Sequence, residues 1–136
     1  MTKILVVDDE VDVRELLEFN LRGAGFEVIL ADCGLTGLHR ARLDSPSLIV
    51  LDVMLGDMDG FTVCELLGRQ TSTSDIPVIM FTALPGELPR FNGLAAGAVH
   101  FVSKNVGPQE LIAIVRDELR RHREQQVELE RMSFRR

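Results

Sequence analysis

Five short apolar runs, Lys3 to Val7, Glu27 to Ala31, Leu48 to Leu51, Pro77 to Phe81 and His100 to Val102, alternate with segments of helical periodicity along the chain. Runs this short, rich in Val and Ile, predict strands, and their regular alternation with helices predicts an α/β fold. The first, third and fourth are almost continuously apolar, as a parallel sheet covered on both faces requires. The second is bracketed by Glu27 and Asp32, which suits an edge.

The intervening segments carry their own signals. Val13, Leu16, Leu17, Asn20 and Leu21 fall at helical spacing and Gly23 and Gly25 end the first helix, leaving Arg14, Glu15, Glu18 and Arg22 as its polar face. A second helix is predicted over Leu35 to Leu43, stopped by Asp44-Ser45-Pro46, and a third over Phe61 to Leu67. Leu88, Phe91, Leu94 and Ala95 give a fourth helix its apolar side, although Pro85, Gly86 and Pro89 interrupt its start. The fifth starts near Pro108, a favourable first-turn residue, and is expected to bury Leu111, Ile114, Val115 and Leu119. Over residues 120–132 only Val127, Leu129 and Met132 remain to pack, so residues 1–121 are expected to form one domain and 122–136 an extension of the last helix or a linker.

The 136 residues suffice for one domain with a real core, and 46% hydrophobic with 26% charged residues excludes a disordered chain. Charge is unevenly spread: residues 1–119 carry 18 acids against 9 bases, whereas 120–136 carry 3 against 6. An acidic body argues against direct nucleic-acid binding by the domain, because phosphate contact relies on Lys and Arg. Cys33 and Cys64 form no CxxC pair and are expected as buried, reduced thiols. His39, His100 and His122 share no metal-ligand spacing. The N-terminal apolar run is too short for a signal peptide and no run reaches membrane-spanning length, so a cytoplasmic protein is expected.

Four of the apolar runs end alike: Val7 leads into Asp8-Asp9, Leu51 into Asp52, Phe81 into Thr82 and Val102 into Ser103-Lys104. In a parallel sheet these ends share one edge, where ligands bind in open α/β folds. Three carboxylates, a hydroxyl and an ammonium are thereby gathered in one crevice. Carboxylates so close repel one another, and a hard divalent cation such as Mg2+, which bridges carboxylates to phosphate oxygens, relieves the repulsion. A carboxylate also serves as a nucleophile toward phosphorus, with catalysis supplied by position and charge neutralisation. Taken singly, Asp8-Asp9-Glu10 reads as a solvated connection, with Asp9 or Asp12 as a helix cap; only the joint placement points to chemistry.

The motifs Ile4-Leu5-Val6-Val7-Asp8-Asp9-Glu10, Leu51-Asp52-Val53-Met54-Leu55 with Met58-Asp59-Gly60, Phe81-Thr82-Ala83 and Gly97-Ala98 through Lys104 together resemble the receiver domains of bacterial response regulators. The resemblance spans roughly residues 3–121 and includes the 22-residue step from Thr82 to Lys104. It implies a doubly wound, flavodoxin-like parallel sheet in the order 2-1-3-4-5 with helices on both faces. It also implies Asp52 as phosphoacceptor, Asp9 as a direct Mg2+ ligand, Asp8 as a ligand through water and the Met54 carbonyl as a further ligand. Thr82 and Lys104 would contact the phosphoryl oxygens, and Phe101 would be the switch aromatic drawn inward when Thr82 moves toward phosphate.

A histidine kinase or histidine phosphotransfer protein would be the phosphoryl source. The surface of the fourth helix, fifth strand and fifth helix would engage an output domain or partner. Such a protein catalyses its own phosphoryl transfer and dephosphorylation without being a turnover enzyme. The apolar Met54 and Leu84 beside the acyl phosphate imply slow self-hydrolysis.

The chain departs from the family pattern at Asn105, where proline usually follows the lysine, often through a cis peptide. A cis bond to asparagine would cost about 2.5 to 4 kcal/mol, so a trans or distorted connection that misplaces Lys104 is expected. Gly56 replaces a common proline and implies a looser loop, and Val99, His100 and Ile114 replace residues of the ion-paired dimer of winged-helix regulators. Two alternatives follow: a receiver-like interaction module independent of phosphate, which Asn105 favours, and a Mg2+-dependent phosphohydrolase, which lacks its second acid because residue 54 is methionine.

Overall fold

The computed structural model describes residues 1–83 and 92–134. Five strands, β1 (Lys3–Val7), β2 (Glu27–Ala31), β3 (Leu48–Leu51), β4 (Val78–Thr82) and β5 (His100–Ser103), form one parallel sheet in the order β2-β1-β3-β4-β5. The doubly wound order implied by the motifs is the observed one. β4 starts one residue after Pro77, which has no N–H for a ladder, and takes in Thr82.

Alternation along each strand divides the core in two. Ile4, Val6, Val50 and Ile79 face one side, packing with Leu17 and Leu21 of α1 (Val11–Gly23) and Leu111, Ile112 and Val115 of the last helix. Leu5, Val7, Ile49, Leu51 and Met80 face the other, against Ala41 of α2 (Gly34–Asp44) and Val63, Cys64 and Leu67 of α3 (Gly60–Arg69). A strand buried on both faces has no polar side to show, which is why β1, β3 and β4 read as continuous apolar runs.

Some expected contacts are redistributed. Leu16 is half exposed while Leu17 and Leu21, four residues apart, carry the buried stripe of α1. Neither Asp9 nor Asp12 caps that helix; Glu10 occupies the N-cap position and Asp12 lies in the first turn. Cys64 is buried but Cys33 is only partly so, which corrects the expectation of two buried thiols; both are unpaired.

The start of the fourth helix, with Pro85, Gly86, Leu88, Pro89 and Phe91, lies outside the described residues, as does Leu84. Residues 92–95 are helical and are labelled α4. α5 runs without interruption over Pro108–Phe134 and buries Leu111, Ile112, Val115 and Glu118, while Ile114 and Leu119 are only partly covered. Val127, Leu129, Met132 and Phe134 are exposed on its last turns. Among the described residues, no helix is long and apolar enough to cross a membrane.

Candidate functional site

The sheet order reverses direction at β1, which pairs with β2 on one side and β3 on the other. The crevice at the carboxyl ends of these strands receives Asp8 and Asp52. Backbone bonds fix both: the Asp8 N–H donates to the Ala31 carbonyl at 3.1 Å and the Asp52 N–H to the Val7 carbonyl at 3.0 Å. Their side chains are then turned inward, leaving Asp8 2% and Asp52 3% exposed. Short local bonds orient the carboxylates, with the Glu10 N–H donating to Asp8 Oδ1 at 2.9 Å and the Val53 N–H to Asp52 Oδ1 at 2.7 Å.

Lys104 arrives from the end of β5, steered by its N–H, which donates to the Thr82 carbonyl at 2.9 Å. Its Nζ lies 3.0 Å from Asp8 Oδ2, 2.9 Å from Asp52 Oδ2 and 2.8 Å from Glu10 Oε1. No cis peptide occurs among the described residues, so Lys104 and Asn105 are joined in trans as expected. The anticipated misplacement of Lys104 is not found: the Asn105 N–H donates to Ser103 Oγ at 3.1 Å and the ammonium reaches both acids. Thr82, at the end of β4, is wholly buried.

The electrostatics follow from this crowding. Burial above all pushes the Asp8 carboxyl above its ordinary value; the Glu10 N–H and Lys104 draw it back, and the Asp52 charge adds to the rise. Burial alone would lower the Lys104 ammonium, but hydrogen bonds to Glu10, Asp52 and Asp8 outweigh it and raise the group above 10.5. The site is thus an acid cluster partly neutralised by one lysine.

Asp8, Asp9, Glu10 and Asp52 each offer a carboxylate oxygen, and these atoms all lie within 4.8 Å of one another. An all-oxygen donor set of this charge suits a hard divalent cation that retains water. Burial and the nearby Asp52 charge disfavour the ionised Asp8 carboxylate, an effect that a bound cation would offset. Asp9 is exposed at the rim of this cluster, whereas the Met54 side chain points to solvent at 62% exposure, so that only its backbone is available to the site.

The loop from Asp52 to Asp59 folds back on itself through the Met54–Asp59 bridge. Gly56, expected to loosen it, adopts a φ of 80°, a conformation closed to proline. Gly60 opens α3 under the loop, where a Cβ would lie 2.1 Å from the Asp52 carbonyl oxygen. Two acids that sequence reasoning left out of the site do structural work beside it: Glu10 as a third partner of Lys104, and Asp57, whose carboxylate accepts from the N–H groups of Gly34 and Leu35 at 2.8 and 2.9 Å. Proximity of Glu10 to Asp8-Asp9 was a signal for the first; nothing local signals the second. Phe101 is half-buried, its ring packed toward Gly93 of α4 and Met80 of β4.

Comparison with known proteins bears on the family and the fold. The response regulator receiver domain family matches residues 4–116. A probable transcriptional regulator ycf27 of Porphyra purpurea is 47% identical over 119 residues, covering 88% of this chain and 48% of that protein. The DNA-binding dual master transcriptional regulator RpaA of Synechocystis is 41% identical over 121 residues, covering 89% of this chain and 50% of that protein. The chain therefore spans about half the length of the curated relatives it matches. A crystal structure of a putative response regulator from Chloroflexus aurantiacus superposes with a TM-score of 0.83 at 36% identity, covering 87% of this chain and 97% of that one.

Proposed function

The chain belongs to the response-regulator receiver family of two-component systems, and on that premise we propose that it is a phosphoacceptor switch, phosphorylated on Asp52 with Mg2+ as cofactor. The observation that carries the reading is the Lys104 ammonium held between the buried carboxylates of Asp8 and Asp52 at the switch point of the sheet. A histidine kinase or histidine phosphotransfer protein is the donor, and the reading assigns the protein to the cytoplasm.

In the transfer, an Asp52 carboxylate oxygen attacks phosphorus in line with the leaving group. The bond from phosphorus to the donor imidazole breaks, its electron pair stays on the nitrogen, and Asp52 becomes an acyl phosphate. Asp8, Asp9, Asp52 and the Met54 carbonyl would hold the cation, which supplies neutralising charge for the phosphoryl oxygens when bound. Lys104 turns from the acids to a phosphoryl oxygen, and the Thr82 hydroxyl donates to another. Movement of Thr82 frees space toward which Phe101 turns. Phosphate biases this equilibrium only as far as it interacts better with one arrangement than with the other. The readout is the surface of α4, β5 and α5, offered to an output domain or partner.

Incubation with acetyl phosphate and Mg2+, followed by intact mass measurement, tests the reading: one phosphoryl group is gained by the wild type and none by Asp52→Ala. Beryllofluoride with Mg2+ binds the wild type on the same terms. A protein that neither labels nor binds beryllofluoride is instead the phosphate-independent interaction module.

A further inference from the structure

We infer that Asp57 is a positioning residue for the phosphoryl and metal pocket, locking the loop that follows β3 onto the N-terminus of α2; this deepens the phosphoacceptor reading and rests on it. The loop begins at Asp52 and carries the Met54 carbonyl. Several bonds fold it onto itself and onto α3. The Asp57 N–H donates to the Leu55 carbonyl at 2.9 Å, the Gly60 N–H to the Val53 carbonyl at 2.7 Å, and Met54 bridges Asp59. Asp59 then caps α3 by accepting from the Thr62 N–H at 2.8 Å.

Asp57 reaches in the opposite direction, to α2. The first amide groups of a helix have no partner within it, and Cys33 at the N-cap of α2 makes no side-chain bond to them. Both oxygens of Asp57 fill that gap, one on the Gly34 N–H and one on the Leu35 N–H, from 23 and 22 residues away in sequence. The positive end of the helix dipole favours the carboxylate, and those two N–H groups, Leu35 first, hold the Asp57 carboxyl below the usual range. The contact is close-fitting: a Cβ on Gly34 would stand 2.5 Å from Met58 Cγ. The segment between Asp52 and Asp59 is thus held from two sides by two acids, one on each helix.

Groups that orient ligands without touching the metal commonly alter affinity 10- to 100-fold when removed. Loss of the α2 anchor leaves Asp52 fixed by β3 and Met54 still bridged to Asp59 but loosens the loop that carries the Met54 carbonyl, so the lower end of that range, about tenfold, is expected.

The test uses the full chain and Mg2+ alone, titrated by amide shifts of residues 53–60, with hydrogen exchange at Gly34 and Leu35 measured without metal. Asp57→Ala is expected to bind Mg2+ about tenfold more weakly and to exchange faster at both amides. Asp57→Asn, which turns an NH2 toward one of the two N–H groups, falls between. Thr73→Val is the comparison for stability alone, since it removes a buried hydroxyl bond to the Leu67 carbonyl near the other end of α3; its Mg2+ affinity stays at the wild-type value. An Asp57→Ala protein within about twofold of a Mg2+-binding wild type overturns the inference alone, as does Thr73→Val weakened equally. If Asp57→Ala does not fold, Asp57→Asn decides by the same criterion. A wild type without Mg2+ affinity overturns the phosphoacceptor reading and the inference with it.

Discussion

Replacing Lys104 with methionine keeps the length of the side chain and removes the cation shared by three acids. Its side chain is 12% exposed, those of Asp8 and Asp52 are 3% and 4% exposed, and that of Glu10 is 59% exposed. The Glu10 pair is therefore screened and contributes little, so the cost resides in two buried carboxylates left facing each other. Breaking a buried pair typically destabilises by about 3 to 5 kcal/mol. The loss is limited from above because one carboxyl can take up a proton, which at neutral pH costs about 4 kcal/mol for a group of ordinary acidity. A loss of about 3 kcal/mol is expected in EDTA, read by urea unfolding with far-ultraviolet circular dichroism because the chain has no Trp or Tyr.

Magnesium should then narrow the gap. A cation that binds only the folded state adds about 2.7 kcal/mol at a hundredfold excess over Kd, and the variant gains more at equal Mg2+ because its acids no longer face an ammonium. The pH dependence has a definite sign. Lys104 is raised above 10.5, so its stabilisation is complete below that pH and is lost only as pH rises through the higher folded value. The difference between the proteins should therefore stay constant around neutrality and close in strong alkali. Equal stability in EDTA, or a gap that saturating Mg2+ leaves untouched, would refute the electrostatic argument.

Two further outcomes are expected. Gly60→Ala sets a Cβ 2.1 Å from the Asp52 carbonyl oxygen, a clash with backbone that no rotamer relieves; about 3 kcal/mol of stability should be lost, together with most acetyl phosphate labelling, and wild-type behaviour in both would show that the loop is softer than its geometry. Cys64 is buried, which pushes its thiol up to about 11, so iodoacetamide should modify Cys33 first in the native protein and reach Cys64 only on unfolding; mass mapping that finds Cys64 alkylated first would contradict its placement.

The elements were legible where burial is two-sided or the punctuation is chemical. β1, β2 and β3 begin and end where the sequence pattern places them, and at their carboxyl ends the next residues, Asp8, Asp32 and Asp52, are the acids that break the apolar runs. Asp8, Asp52 and Lys104 were legible for the related reason that parallel strands deliver their next residues to one edge. Asp57 was not, since the amides it satisfies lie 22 and 23 residues earlier and no local pattern encodes a cap supplied by another loop. Glu10 read as a solvated acid until Lys104, 94 residues away, was brought to it. Leu16 and Leu17 were both placed on the apolar side, because helical spacing alone does not fix which of two adjacent leucines faces the sheet. The trans junction at Asn105 followed from the energetics of the peptide bond, but its effect on Lys104 did not, because the backbone bond to Thr82 sets the lysine's approach.

The length of α5 carries a mechanical corollary. Its first turns are clamped to the sheet through Leu111, Ile112 and Val115, while the turns from Val127 onward stand in solvent. From Leu119, the last residue packed on the core, to Phe134 the helix extends about 22 Å at 1.5 Å per residue. A tilt of about ten degrees at that root would sweep the far end through ~4 Å, so a small change of angle where the helix meets the sheet becomes a displacement as large as a side chain.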